Sequence, residues 1–273
     1  MAAKRASKAA SDGPAPGQRE RVDGRVAAII VAFNQERRVA STVRGALSIP
    51  AVDLVLVIDD GSTDQTQSAA REAGAVVVRH SHRRGRSAAV ETGFAVVTQR
   101  DEPGVAPRHF LLLDGGLGEH AVGAAPLASA VTEGAADLAI AVLGGQGDRA
   151  TRMAAALARG AIARASGWSP TQPLSRTRCL TREAMEASIP LSHGAGLDVG
   201  MTLDVLLAGL TATEVECEIR VRPAPAGARA PLLHANQYRD VMVAVSTRRI
   251  RRGFEATQNA VDPRGLFHRE DDE

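Results

Sequence analysis

The chain contains 273 residues, of which 44% are hydrophobic and 3% aromatic, and its 33 basic and 31 acidic residues leave a formal net charge of +2. The scarcity of aromatic side chains argues against a β-sandwich and against a protein that stacks nucleic-acid bases. The near balance of charge argues against a polyanion-binding protein, so we expect no nucleic-acid partner.

The first 24 residues are polar and rich in Ala, Ser, Gly and Pro, with no apolar stretch. This composition buries too little surface to fold and lacks the apolar core of a signal peptide, so we expect a disordered tail. No later apolar run approaches the ~20 residues of a membrane span. The sequence therefore predicts a cytoplasmic protein with at most peripheral contact to the inner face of the membrane.

From residue 25 onward, short apolar runs alternate with amphipathic windows. The apolar runs are Val26–Phe33, Leu54–Ile58, Ala75–Val78, Phe110–Leu113 and Leu138–Val142. Continuous short runs of this kind indicate strands that are buried on both faces of a parallel sheet. The windows between them predict helices at Glu36–Ser48, Asp64–Ala73, Gly85–Thr98 and Gly123–Glu133. This alternation predicts an α/β fold with a doubly wound, mostly parallel sheet and helices on both faces.

The second half of the chain is less regular. The predicted elements are a helix at Asp148–Ala165, a short strand at Leu174–Leu180, a helix capped by Thr181, a helix at Val199–Leu210, a strand at Thr213–Val221 and a helix at Leu232–Arg252. We interpret residues 25–252 as a single domain, followed by a polar tail at 253–273.

Polar residues follow three of the predicted strands, at the edge where ligands bind in open α/β sheets. These segments are Phe33–Glu36, Asp59–Asp64 and Asp114–Gly116. Carboxylates gathered at one edge suit ribose hydroxyls, base N–H donors or a divalent metal ion. Alternatively, Asp60 and its neighbours only cap the next helix. Their coincidence at strand ends favours a binding site.

Several segments carry a family resemblance. They read IIVAFNQE, LVLVIDDGSTDQT, RRGRSAAVETGF and FLLLDGGLGE, followed by PLSRTRCLTREAMEASIP and GAGLDVGMTLDVLLAGL. Together they resemble the family 2 glycosyltransferases with the GT-A fold, in a branch that includes dolichyl-phosphate mannosyltransferase-like enzymes. The resemblance covers about residues 25–245. It implies a nucleotide-sugar-binding half at 25–145 and an acceptor half at 146–252.

The resemblance implies a donor site for a UDP- or GDP-linked sugar. Phe33, Asn34 and Glu36 stand where such enzymes hold the base and the ribose. Asp60 would bind the uracil or guanine edge, and Asp59 would support the end of the strand.

The resemblance also implies residues for phosphate binding and transfer. Arg84 and Arg86 would neutralise the donor diphosphate through bidentate guanidinium contacts, with a solvated loop as the alternative. Arg178 would face an acceptor or donor phosphate. Asp198 would be the general base of an inverting transfer, one methylene shorter than the Glu of the family. The acceptor is not identified, and a lipid-linked phosphate is one candidate.

The implied metal site departs from the family pattern. Such enzymes hold Mg²⁺ or Mn²⁺ with an Asp-X-Asp motif after the fourth strand, and Asp114 matches its first carboxylate. Gly116 occupies the second position, and Val221 replaces a His that often follows a late strand. A hard cation prefers several oxygen ligands, so Asp114 alone makes a weak metal site.

Three hypotheses follow. The first is a glycosyltransferase, and the second is a catalytically impaired or inactive homologue that keeps nucleotide or partner binding. Gly116 and Val221 favour the second, whereas the IDDGSTD motif and Asp198 favour the first. A nucleotidyltransferase is disfavoured because its Gly-rich, Lys-containing start is missing. We interpret His80 as a surface-loop residue, and the arginines at 248–252 as a solvated helix end or a contact for anionic lipid.

Overall fold

The computed structural model describes residues 24–144, 149–220 and 235–248, with the backbone alone at 149–151. Most of the predicted N-terminal tail and the whole predicted C-terminal tail lie outside these residues. Val221 and the arginines after Arg248 also lie outside them. No helix in the described part of the chain is both long and apolar enough to cross a membrane.

In the described residues, seven strands form one sheet. They are β1 (Val26–Ala32), β2 (Val52–Asp59), β3 (Val76–Arg79), β4 (His109–Asp114), β5 (Leu138–Leu143), β6 (Arg178–Leu180) and β7 (Ala212–Cys217). Their order across the sheet is β3-β2-β1-β4-β6-β5-β7. All neighbours run parallel except β6, which is antiparallel to both β4 and β5. The predicted α/β class and mostly parallel sheet are confirmed.

The helices cover both faces of the sheet. They are α1 (Val39–Leu47), α2 (Thr66–Glu72), α3 (Arg86–Arg100), a 3-10 helix (Gly118–Ala124), α4 (Ala125–Thr132), α5 (Arg149–Ser166), α6 (Arg182–Ala187), α7 (Gly196–Leu207) and α8 (235–248). The predicted helix at Gly123–Glu133 is a 3-10 turn followed by α4, whose start is favoured by a proline at its second position. Thr181 caps α6, as predicted, by accepting a hydrogen bond from the Ala184 amide at 3.1 Å.

Alternate residues of β1 enter opposite halves of the core. Ala28 and Ile30 pack with α1 and α4 on one face, whereas Ala27 and Ile29 pack with α3, α6 and α7 on the other. Because both faces are covered, polar alternation is absent, which explains the continuous apolar runs. A third cluster joins α5, α7 and α8 through side chains such as Ile162.

The register of the sheet brings the predicted polar segments together. Ala32 of β1 pairs with Asp59 of β2, and Val31 pairs with Asp114 of β4. The carboxyl ends of these three parallel strands therefore meet at one edge of the sheet. We call this edge the strand-end rim.

Candidate functional site

The loop after β1 is fastened to the loop after β2. Asn34 has a backbone φ of 52°, a left-handed conformation that Asn tolerates better than most residues. Its amide donates to Oγ of Ser62 at 2.9 Å, and its Oδ1 accepts from the Thr63 amide at 2.9 Å. Oε2 of Glu36 accepts from the Gln65 amide at 3.2 Å. Asn34 and Glu36 thus shape the rim through loop contacts, and both residues remain exposed.

Asp59 lies at the end of β2 and is buried. Its Oδ1 accepts a hydrogen bond from the Ser62 amide at 2.9 Å, which closes the turn that follows the strand. Its Oδ2 lies 3.5 Å from Nε of Arg79 and has no hydrogen-bond partner among the described residues. Asp59 therefore supports the turn at the rim from within the protein.

Asp60 is almost fully buried and receives three donors. Its Oδ1 lies 2.8 Å from both Nδ1 of His80 and the amide of Arg84, and its Oδ2 lies 2.8 Å from the amide of Gly85. Burial opposes ionisation of this carboxyl, but the donors outweigh burial and hold its pKa below the ordinary value. The alternative role of Asp60 as a helix cap is not observed, because these partners lie after β3.

The interpretation of His80 as a surface-loop residue is wrong, because its side chain is buried, with 6% exposure. Its Nε2 lies 3.0 Å from Oγ1 of Thr92, whose hydroxyl donates to the carbonyl of Ala88. Both ring nitrogens of His80 therefore have a polar partner, which fixes the orientation of the imidazole ring at the end of β3. His80 directly follows β3 at the rim, a position in the sequence that signals a site residue.

Phe33 offers an aromatic face at the rim. The guanidinium carbon of Arg83 lies 4.3 Å from the ring centroid, within cation–π distance. Arg83, which sequence reasoning missed, lies in the same basic loop as Arg84. The side chain of Arg84 is exposed, as a solvated loop residue would be, while its backbone amide donates a hydrogen bond to Asp60.

Arg86 begins α3 and lies at the centre of a charged cluster, with only 10% of its side chain exposed. Its Nη1 lies 2.8 Å from Oδ1 of Asp198, and its Nη2 donates to the carbonyl of Arg176 at 2.6 Å. Burial disfavours the charged guanidinium, but Asp198 and Asp114 outweigh burial and raise its pKa above the ordinary value. Arg86 is therefore a fixed cation beside the rim.

Asp114 faces two guanidinium groups. Its Oδ1 lies 2.9 Å from Nη2 of Arg176 and 4.0 Å from Nε of Arg86. Gly116 supplies no side chain, and its carbonyl accepts from Nη1 of Arg38 at 3.1 Å. Sequence reasoning missed Arg176, although it stands within the segment that resembles the family. Among the described residues, no three His, Cys, Asp or Glu side chains are grouped so as to hold a metal ion. The described residues at the rim do not fit a divalent cation, because guanidinium groups engage Asp114 and Gly116 supplies no carboxylate.

The prediction that Arg178 faces a phosphate is wrong, because its side chain is fully buried beneath α7. It donates to the carbonyls of Ser175 and Asp198 at 2.6 and 2.9 Å and to Oγ1 of Thr202 at 3.2 Å. Burial lowers its pKa to about 10, with Asp198 raising the pKa and Arg86 lowering it further, so Arg178 remains charged at neutral pH. Arg178 begins β6 opposite Leu112 of β4, near the rim, but its side chain is enclosed in the protein rather than open to a ligand.

Asp198 lies in the first turn of α7 and is 4% exposed. Its Oδ1 lies 2.8 Å from Nη1 of Arg86 and 3.5 Å from Nε of Arg178. The structure thus places the predicted base in the same cluster as Asp114, as a counterion shared by two arginines.

Comparison of the sequence with known proteins identifies a family match in the first half of the chain. Residues 27–112 match the model of glycosyl transferase family 2; they contain most of β1 and β4, all of β2 and β3, and the helices α1 to α3. An uncharacterized protein of Methanocaldococcus jannaschii is 35% identical over 65 residues. This match spans 24% of the chain and about a quarter of that relative, 26% of its length.

The described fold is similar to that of glucosyl-3-phosphoglycerate synthase from Mycobacterium tuberculosis. The complex of that enzyme with Mg²⁺ and UDP is 22% identical, with a TM-score of 0.63 over 82% of this chain and 79% of that chain. Its complex with Mn²⁺, UDP-glucose and phosphoglyceric acid is 21% identical, with a TM-score of 0.62 over 82% of this chain and 80% of that chain. The mixed seven-stranded sheet is therefore the GT-A fold, as the sequence resemblance implied.

Proposed function

We propose that this chain is a glycosyltransferase that passes a sugar from a UDP- or GDP-linked donor to an acceptor, with inversion at the anomeric carbon. One observation carries the proposal. The carboxyl ends of β1, β2 and β4 meet at the rim, within the segment that matches glycosyl transferase family 2. The UDP and UDP-glucose complexes of the similar mycobacterial enzyme support a nucleotide-sugar donor, and UDP in particular.

The nucleoside end of the donor would lie between the loops after β1 and β2. Phe33 supplies an aromatic face, and Asn34 and Glu36 form the exposed wall beside it. Oδ2 of Asp60 receives one hydrogen bond, from Gly85, and a carboxylate oxygen accepts up to two. A base N–H is therefore a chemically suitable partner for Asp60.

The diphosphate end would lie toward Arg86, with Arg84 on the exposed side of the same loop. Guanidinium groups pair with phosphate oxygens in a bidentate geometry, which orients as well as neutralises the diphosphate. Asp59 and His80 act indirectly, because they hold the turn after β2 and the carboxylate of Asp60.

Asp198 is the candidate base for the acceptor. Its Oδ1 is already engaged by Arg86 and Arg178. A phosphate acceptor makes little demand on a base, because such an acceptor is already ionised. We therefore favour a phosphorylated acceptor, as in the dolichyl-phosphate mannosyltransferase-like branch. If the phosphate is lipid-linked, the chain would reach it by peripheral contact with the membrane.

The test is nucleotide release from UDP-glucose and GDP-mannose, with and without a soluble phosphorylated acceptor or a lipid phosphate in vesicles. We expect the acceptor to raise nucleotide release above hydrolysis, and NMR of the product to show an inverted anomeric centre. Arg71→Gln, an exposed change in the last turn of α2, serves as the control with unchanged release. Hydrolysis alone with every acceptor would contradict the proposal.

An inactive homologue that retains nucleotide binding is the second candidate. The observation that favours it is the engagement of both Asp114 and Asp198 by arginines. Under this alternative, calorimetry detects nucleotide binding whereas no sugar leaves the donor in any assay. Turnover with any acceptor would exclude it.

A further inference from the structure

The carboxylate at the end of β4 is already neutralised by the protein. Oδ1 of Asp114 lies 2.9 Å from Nη2 of Arg176 and 4.0 Å from Nε of Arg86, so both guanidinium groups lie beside the same carboxylate oxygen. A metal ion bound there would have to displace or repel these cations. Gly116 supplies no second carboxylate to offset that repulsion.

Arg86 also carries an unused donor. Its side chain is nine-tenths buried, and its Nε has no hydrogen-bond partner among the described residues. A buried N–H without a partner is uncommon and costs stability, so an acceptor is expected at this place when the site is occupied. This Nε lies 4.0 Å from Oδ1 of Asp114, too far for a hydrogen bond.

The charge of the cluster favours an anion. Arg86, Arg176 and Arg178 contribute three positive charges, and Asp114 and Asp198 contribute two negative charges, which leaves a net charge of +1. A divalent cation would increase this positive charge at close range. A diphosphate, with at least two negative charges, would offset it and supply oxygen acceptors for Arg86 and for Arg176.

We infer that Arg86 and Arg176 hold the donor diphosphate directly, in place of a divalent cation, and that Asp114 positions these arginines rather than binding metal. This inference rests on the proposed function, because it specifies how the donor is held. Arg176 is 54% exposed and can turn from Asp114 toward a phosphate, whereas Arg86 is already fixed by Asp198.

The test is calorimetric titration of the full chain with UDP-glucose, GDP-mannose and inorganic pyrophosphate. Each titration is done in EDTA and again with Mn²⁺. We expect pyrophosphate and one nucleotide sugar to bind in EDTA, with Mn²⁺ changing the Kd less than about twofold. Arg176→Gln should weaken both by about tenfold to a hundredfold, the range for a hydrogen bond to a charged group. Arg176→Lys, which keeps the charge but not the forked geometry, should weaken them less.

Arg71→Gln is the matched control and should bind like the wild type, since this exposed residue lies in the last turn of α2. Thermal midpoints of all variants establish that they are folded. Binding that requires Mn²⁺ would overturn the inference and leave the proposed function standing. If pyrophosphate binds in EDTA but neither nucleotide sugar binds, and Arg176→Gln abolishes the binding of pyrophosphate, the inference is supported and the proposed function is contradicted. Absence of binding by all three probes would overturn both.

Discussion

Replacement of Asp198 by Asn removes the charge that Arg86 and Arg178 share. The carboxyl side chain is 6% exposed, and those of the two arginines are 10% and 0% exposed, so water cannot replace the lost counterion. Removal of one partner from a buried ion pair costs about 3–5 kcal/mol of unfolding free energy. The lower end is expected here, because the Asn carbonyl can still accept from Arg86 and because backbone carbonyls still hold Arg178.

A loss of about 3 kcal/mol lowers the thermal midpoint of a domain of this size by roughly 6–12 °C. Differential scanning calorimetry of Asp198→Asn measures the shift. Glu186→Gln is the matched control, because Glu186 is 58% exposed and lies 3.8 Å from Arg182. A surface pair of this kind contributes about 0–1 kcal/mol, so its midpoint should move by at most a few degrees. The double variant Asp198→Asn with Arg178→Met should recover part of the loss, since no uncompensated charge remains buried at position 178.

Equal midpoints for Asp198→Asn and Glu186→Gln would refute the assignment of Asp198 as a buried counterion. Asp198→Asn also distinguishes a role of Asp198 in positioning Arg86 from a role as a base. If Asp198 positions Arg86, the variant should show a higher Kd for nucleotide sugar as well as a lower rate, whereas loss of a base alone would lower only the rate.

Three further predictions concern the rim and the core. Asp60→Asn should lower the free energy of unfolding at pH 7, because the pKa of Asp60 is depressed in the folded state. The difference from the wild type should shrink as the pH falls below about 4, as measured by urea unfolding across pH. A difference that is independent of pH would contradict this prediction. Gly116→Asp should not by itself produce Mn²⁺-dependent binding of UDP-glucose, because Arg176 remains paired with Asp114. The double variant Gly116→Asp with Arg176→Gln should produce it. The single variant should fold, because the Cβ added at position 116 would lie 3.0 Å from the side-chain oxygen of Gln35, which can move. Burial raises the pKa of the Cys179 thiol to about 12, so Cys179 should react with a thiol reagent only as fast as the protein unfolds; rapid labelling of the native protein would show that β6 is exposed.

The sheet and the rim were predictable because both depend on local patterns. A strand covered on both faces must be apolar along its length, and the runs at β1, β2 and β4 show this directly. Polar residues at the ends of parallel strands then share one edge whatever the details of packing. The roles implied for Asp60 and Phe33 remain proposals, but their position at the rim follows from the sequence.

The charged cluster was not predictable in the same way. Arg178 belongs to a residue type that is seldom buried, so nothing local in the sequence indicates that it lies inside. Its position follows from the antiparallel insertion of β6, which depends on pairing with β4 and β5 across long stretches of chain. The contact between Arg176 and Asp114 depends on the same insertion. The sequence therefore predicts which residues line the rim, but not which of them neutralise one another.

The position of β6 also makes the two halves of the chain mutually dependent. In the described residues, β5 pairs only with β6 and β7, both of which follow α5 in sequence. A fragment that ends after β5 would retain β1–β4 as a sheet but leave β5 without a neighbouring strand and β4 with an open edge. Neither half is then a unit that can be transplanted into another protein, and chimaeras with related sheets should exchange β4 through β7 together. Two separately expressed halves, cut between β5 and α5, should instead be tested for reassembly, because each supplies strands that the other lacks.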